Sequence, residues 1–219
     1  MGGKAKVIKI TAISLYYVTM IMTNCYLITD KDTGESAVVD PGGKSSELIN
    51  DIYKLEKGLK YVILTHGHYD HIGYARQLAE MYGAKIICGE KTDEFLSDKR
   101  LNHSAYHPDF PEITPFKGDI LLKDGDTFKL GNTEFKYIST PGHTKDSGCY
   151  IFDDNLISGD TLFCESYGRT DLPTGNDEQM VSSIRRLKNL SGNYNVLPGH
   201  GMISDLDHER KYNLLMRRV

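Results

Sequence analysis

The chain has 219 residues, enough for one sizeable hydrophobic core or two small ones. Hydrophobic residues make up 39% and charged residues 26%, the balance of an ordinary globular protein. A formal charge of −4 argues against a nucleic acid or an anionic membrane surface as the main partner.

The chain opens with Met-Gly-Gly-Lys-Ala-Lys, and Lys6 stands where a myristoylation signal needs a hydroxyl residue. No signal peptide is read there. Residues 11 to 29 are apolar enough to suggest a membrane span. Thr11, Ser14, Thr19, Thr23 and Asn24 interrupt them, and β-branched and aromatic residues dominate, so two successive strands are expected, at 7–16 and 24–30. A short strand from Ser36 ends in the turn Asp40-Pro41-Gly42-Gly43. Ser45 or Ser46 then caps a helix whose stripe is Leu48, Ile49, Ile52 and Leu55, ended by Gly58.

A strand at 61–64 leads into a second helical stripe, Ile72, Ala75, Ala79 and Tyr82, closed by Gly83. Lys85 to Cys88 reads as a strand and Lys91 to Leu96 as a short helix. Strand and helix alternate through this half, the rhythm of an α/β layered domain. Residues 97–118 break it. They carry Pro108, Pro111 and Pro115 with His103, Tyr106 and His107, and they are expected to form a lid or a substrate wall. His103 and His107 have no partners at ligand spacing.

The second half is richer in strands: 120–122, 127–130, 133–139, 148–152, 156–158 and 196–197. Asp124-Gly125 and Gly131-Asn132 are turn dipeptides. Asn176 is the expected cap of a helix with Gln179 three residues on, and Met180, Ile184 and Leu187 mark its buried face. A terminal helix is expected from near Ser204. There is no linker-like stretch and no repeat of 20 to 50 residues, so residues 1–219 read as one domain. Cys25, Cys88, Cys149 and Cys164 have no C-x-x-C spacing and read as reduced thiols of a cytoplasmic protein. Cys164 follows Asp160 closely; the plainer reading is a small apolar residue beside a core strand.

The chemistry concentrates in Tyr61–Tyr74, YVILTHGHYDHIGY. Four residues of strand character deliver His66, His68, Asp70 and His71, borderline metal ligands at the carboxyl end of a buried strand. Four more ligand-type residues share one grammar, a short apolar strand followed by a Gly/Pro turn: Asp40 before Pro41-Gly42-Gly43, His143 after Thr140-Pro141-Gly142, Asp160 after Ser158-Gly159, and His200 after Pro198-Gly199. His66, His68 and His143 would give one metal three nitrogens. Asp70, His71 and His200 would give a second metal three more ligands, with Asp160 free to bridge. Histidine and carboxylate without thiolate suit zinc, iron or manganese, and two such ions can share a hydroxide and orient a substrate.

THGHYDHIGY, TPGHT, SGDTLF and LPGHG, in that order, resemble the metallo-β-lactamase superfamily, and specifically its glyoxalase II (hydroxyacylglutathione hydrolase) branch. NCYLITD, VVDPGG and the run from Gly168 to Pro173 match the same branch. The resemblance implies an αββα sandwich of two mixed β-sheets flanked by helices. It implies two divalent metal ions, zinc foremost: the first on His66, His68 and His143, the second on Asp70, His71 and His200, with Asp160 between them and Asp40 hydrogen-bonded behind the ligands.

Glyoxalase II proper has a C-terminal helical domain with basic residues for glutathione, whereas this chain ends 19 residues after His200, so the reading is of a hydroxyacylglutathione-like thioester whose thiol carrier stays open. An Asp at 160 rather than a Cys argues against the classical β-lactam-hydrolysing branch. The resemblance therefore points to hydrolysis of a small-molecule acyl thioester by a bridging hydroxide, with Asp70 and Asp160 as catalytic carboxylates. Arg169 is the candidate for binding an anionic substrate group, against the alternative of an ion pair with Asp171. Two other readings stand beside this. Persulfide dioxygenases share the fold and a Gly-Arg-Thr-Asp stretch, and their single iron would sit on His66, His143 and Asp160. A non-catalytic metal-binding domain is the third. Oligomeric state has no signature in the sequence.

Overall fold

The structure is a computed structural model and describes residues 11–19 and 21–219. The first sheet holds β1 (Thr11–Tyr17), β2 (Asn24–Asp30), β3 (Ser36–Val39), β4 (Leu59–Ile63), β5 (Lys85–Gly89) and β6 (Ile120–Leu122), side by side in that order. β1, β2 and β3 pair antiparallel; β3 through β6 pair parallel. Parallel neighbours need crossovers. These are α1 (Ser46–Tyr53), then α2 (Tyr69–Ile72) with α3 (Ala75–Tyr82), then α4 (Thr92–Phe95) with the long loop after it. Residues 7–10 of the first expected strand lie outside the described residues.

The second sheet is built from β7 (Thr127–Leu130), β8 (Thr133–Ser139), β9 (Gly148–Phe152) and β10 (Asn155–Gly159). A small hairpin, β11 (Leu162–Phe163) and β12 (Ser166–Tyr167), and the helix α5 (Asp177–Lys188) follow. The chain then adds β13 (Asn195–Pro198), β14 (Ser204–Asp205) and α6 (Leu206–Tyr212). The spatial order is β14-β13-β10-β9-β8-β7, with β10 and β13 parallel and the other neighbours antiparallel.

Side chains alternate along each strand and so divide among three cores. Tyr26, Ile28, Val39, Ile63 and Ile87 face Phe135, Tyr137, Tyr150, Phe152 and Leu197 between the sheets. The intervening residues Leu27, Val38, Val62 and Ile86 turn outward onto Leu48 and Ile52 of α1 and Leu78 of α3. On the other side Ile138, Cys149, Leu156 and Val196 pack on Met180, Ile184 and Leu187 of α5. Helix, sheet, sheet, helix is the αββα sandwich expected of the sequence, with both sheets mixed. Within the inter-sheet core Phe135 stacks on Phe128 at 5.1 Å and on Phe152 at 4.4 Å between ring centroids.

The helix signals act as read. Ser45 accepts from the Leu48 amide, and Asn176 from the Gln179 amide, each satisfying one orphan N–H. Gly83 closes α3 in the left-handed region. Four details differ. α1 ends at Tyr53 with Lys54 as its C-cap, so Leu55 and Gly58 lie beyond it. The stripe at 72–82 is not one helix, because the Tyr74 amide bonds the Pro41 carbonyl and the chain kinks between α2 and α3. The last helix starts at Leu206, capped by Asp205, since Ser204 and Asp205 pair with β13 first. Cys164 is not beside a core strand: it sits half-buried in the turn between β11 and β12, next to Glu165 and His208. The other three cysteines are buried and free.

Candidate metal centre

Strands from both sheets that end at one edge of the sandwich deliver the site. β4 leads into His66 and His68 in extended chain, and α2 starts at once with Asp70 and His71. The turn after β8 carries His143, β10 ends beside Asp160, and β13 ends beside His200. Cross-sheet hydrogen bonds fix the edge. Asn24 donates through Nδ2 to the carbonyls of Pro198 and Gly201, and the Tyr26 hydroxyl donates to Pro198. The Gly148 amide bonds the Thr65 carbonyl, and Tyr150 bonds that of Leu64. The two sheets are thereby held with their loops facing.

The seven expected residues come together. Nδ1 of His68 lies 3.2 Å from Nε2 of His66 and 2.9 Å from Nε2 of His143. His71 Nε2 is 3.3 Å and His200 Nε2 3.2 Å from the same oxygen of Asp70. Asp160 stands between the two groups: Oδ1 is 3.4 Å from His71, while Oδ2 is 3.5 Å from His143 and 3.6 Å from His200. His66, His68 and His143 form one set of converging ligand atoms, Asp70, His71 and His200 another, and His66, His71 and Asp160 a third that overlaps both. All are buried except His200, which is half-buried at the cavity side.

The outward nitrogens fix which ring atoms carry protons. His143 Nδ1 is 2.7 Å from the Arg169 carbonyl, which only accepts, so Nδ1 holds the hydrogen and Nε2 a lone pair. Asp40 takes the Thr65 hydroxyl proton at 2.6 Å, so His66 Nδ1, 3.1 Å from that hydroxyl, is a donor and its Nε2 also has a lone pair. His71 Nδ1 donates to Asp40 at 3.0 Å. His68 Nδ1 thus faces two lone pairs and has at most one proton to offer. Protonating the rings does not relieve the conflict: burial, reinforced by the neighbouring imidazoles, holds His66 and His68 well below the ordinary histidine value. A cation relieves it. Nitrogens about 3.3 Å apart are what a tetrahedral ion with bonds of about 2.0–2.1 Å requires; the 3.2 Å spacing matches that and the 2.9 Å spacing is shorter.

The second set is more acidic. Burial opposes the charge on His71, but Asp70, Asp160 and Asp40 outweigh it and hold its pKa well above the ordinary value. Burial likewise pushes Asp70 up, and the charges and hydrogen bonds of His71 and His200 bring it well below. His71 Nε2 and Asp160 Oδ1 are buried with no hydrogen-bond partner. A Cβ on Gly199 would sit 2.1 Å from that Asp160 oxygen and 2.7 Å from His71, so the glycine keeps the space open. The donor set and the space it leaves fit a divalent ion here as well.

Two contributors were not singled out in the sequence. Thr65 relays Asp40 to His66, and Asp40 also accepts the Thr65 amide at 2.8 Å. Thr23 donates to Asp70 at 2.9 Å across 47 residues of sequence. Adjacency to His66 was a signal for Thr65; nothing local marks Thr23. His103 and His107 stay out of the ligand sets. His107 stacks on Tyr69 at 4.4 Å, and both histidines line the cavity of about 380 Å³ that opens on the cluster, so their loop forms a wall. Arg169 lines the same cavity, paired through two contacts of 2.6 Å with Asp171, both largely exposed.

Comparison with known proteins agrees with this geometry. The chain is 36% identical over 205 residues, 92% of its length and 96% of the relative's, to hydroxyacylglutathione hydrolase GloC of Haemophilus influenzae. Its fold superposes on the crystal structure of the BLEG-1 B3 metallo-β-lactamase with a TM-score of 0.87, at 29% identity and covering 94% and 99% of the two chains. For ETHE1 from Myxococcus xanthus the TM-score is 0.75, at 26% identity and covering 93% and 83%. A family model described as the metallo-β-lactamase superfamily matches residues 18–200, the stretch from the first sheet to the last ligand. With the sandwich, the ordered ligand motifs and this match in agreement, the chain belongs to the metallo-β-lactamase superfamily.

Proposed function

We propose that the protein is a hydrolase of small-molecule acyl thioesters working with two divalent metal ions, zinc foremost. The observation that carries the reading is the seven-residue cluster, in which the Asp160 carboxylate reaches both histidine sets. His66, His68 and His143 would hold one ion, Asp70, His71 and His200 the other. When bound, the ions would supply Lewis acidity and a strong nucleophile from water at neutral pH. The chain's own part is positional. Asp40 and the Arg169 carbonyl hold His71 and His143 in the tautomers that present Nε2 inward. Asp70 stands inside the cluster, where a carboxylate oxygen can take the proton released by the attacking water. The water oxygen bonds to the acyl carbon, the C–S bond breaks with its electron pair on sulfur, the proton held on Asp70 passes to that thiolate, and carboxylic acid and thiol leave, the acid ionising in solvent. Thiolate is a good leaving group, so no strong general acid is required among the residues. Arg169, on the cavity wall, is the proposed partner of an anionic group on the substrate, released from Asp171 when substrate enters.

The relative named hydroxyacylglutathione hydrolase supports the thioester class. The test is metal analysis of purified protein with a panel of S-lactoylglutathione, simpler thioesters, a lactone and a β-lactam. The expected result is two zinc per chain and thioester cleavage, with both reduced in Asp160→Ala. Undiminished hydrolysis in that variant would sink the model. The second reading, a one-iron oxidation of persulfide on His66, His143 and Asp160, is supported by the stretch Gly168-Arg169-Thr170-Asp171. One iron per chain with persulfide-dependent oxygen uptake is its signature.

A further inference from the structure

A second cavity adjoins the one that opens on the ligand cluster. It has a volume of about 580 Å³, within the range of small-ligand sites. Ile21, Tyr69 and His107 line both cavities, so the two adjoin at a shared wall. The floor of the second is apolar and aromatic: Val18, Tyr69, Tyr74, Phe110 and Pro111, with Tyr106 at the mouth. Its formal charges are Lys44 and Asp109, which offset one another. The first cavity differs, because it is lined by the ligand carboxylates Asp70 and Asp160 and the histidines, with Arg169 at its wall. Phe110 and Tyr69 are edge-to-face at 4.7 Å, and His107 stacks on the same Tyr69 ring, so the wall is built rather than loosely draped. Exposed apolar side chains continue outward from it, with Ile21 53% and Met22 58% accessible on one turn and Tyr106 57% on the other loop. Such surface is costly to leave in water unless something apolar covers it.

A thioester whose carbonyl sits at the cluster sends two arms away from it. A polar or anionic thiol carrier suits the cavity with Arg169, and it gains nothing from the cavity with balanced charge and aromatic walls. We propose that the second cavity is an acyl-chain pocket, and that the substrate is the thioester of a medium-chain apolar acyl group whose hydrocarbon lies between Tyr69, Tyr74 and Phe110. The inference rests on the thioester-hydrolase reading and narrows it to a substrate class.

Two series test it. The first measures kcat/KM of the zinc-loaded protein for N-acetylcysteamine thioesters from acetyl to octanoyl. The second measures binding of the matching non-hydrolysable thioethers by calorimetry. Each added methylene is expected to improve both by about fourfold until the pocket fills. The variant Gln77→Trp, on the exposed side of α3 at the cavity rim, is expected to flatten both slopes, each normalised to its own two-carbon compound. A flat binding series in the parent protein overturns the pocket, and so does a steep series that Gln77→Trp leaves untouched. If no thioester is cleaved while the thioether slope stands, the hydrolase reading fails and the apolar pocket survives it.

Discussion

Asp40 has a φ of +49°, a left-handed backbone that Asp and Asn adopt more readily than most residues. From there its carboxylate accepts from the Thr65 amide, the Thr65 hydroxyl and His71 Nδ1. Asp40→Asn keeps the shape and the tolerated backbone, but it must turn a donor toward one of these three donors. The expected result is an intact fold by circular dichroism and a metal affinity lower by about 10- to 100-fold, read by competition with a chromogenic chelator. Asp40 was legible as part of the site because it stands at a strand end before a Gly turn, as the ligands do. Arg169 is the opposite case. Its carbonyl orients His143 whatever its side chain is, and its exposed pair with Asp171 adds little to stability. Arg169→Ala is therefore expected to leave the thermal midpoint in place and to raise KM for anionic substrates selectively; equal KM for anionic and neutral substrates would assign the side chain to holding the loop.

At the scale of elements, the turn after β3 and the start of α2 pass so close that no side chain fits between them. A Cβ on Gly42 would lie 1.4 Å from the Asp70 carbonyl oxygen. Gly42→Ala is expected to push α2 away, carrying Asp70 and His71 with it. Metal stoichiometry should fall from two toward one, and urea titration should show a loss of roughly 1–3 kcal/mol, the usual cost of forced overpacking. This contact also explains what the sequence concealed. Periodicity placed Ile72 and Ala75 on one helical stripe, and both are buried in the same core, yet the Pro41 carbonyl takes the Tyr74 amide and splits the helix. Strand and cap positions depend on neighbours two to four residues away and could be read. The kink, like the bond from Thr23 to Asp70, depends on a partner about 30 or more residues distant and could not.

For the molecule as a whole, the site is also a point of electrostatic strain. Asp146 is fully buried beneath the histidine loop and accepts from the Gly67 amide at 2.8 Å. Burial pushes its carboxyl up to about 6. A group whose pKa is raised on folding favours the native state at low pH and loses that advantage as pH rises through the folded value. Between about pH 4 and pH 6 Asp146 should therefore weaken the metal-free protein progressively. Asp146→Asn does not ionise, so its stability relative to the parent should climb over that window, by on the order of 2–3 kcal/mol. Urea unfolding of both metal-stripped proteins at several pH values measures the difference; a gap that stays constant from pH 4 to pH 7 refutes the assignment. The sandwich was legible through the family resemblance carried by the motifs, while the rhythm of strand and helix by itself read only as an α/β layered domain. The choice of which sheet each ligand loop belongs to was not, because pairing order is set by contacts across the whole chain.

His68 turns Nδ1 to the cluster, where His66 and His143 turn Nε2. The near nitrogen of an imidazole stands as far from the backbone as the end of an asparagine side chain, and the far nitrogen as far as the end of a glutamine. The three histidines are thus not equivalent to amide surrogates. At position 68 asparagine has the matching reach and glutamine overshoots; at 66 and 143 the order reverses. His68→Asn should keep more zinc than His68→Gln, and His66→Gln more than His66→Asn, which makes the ring orientation readable by metal titration of four point variants.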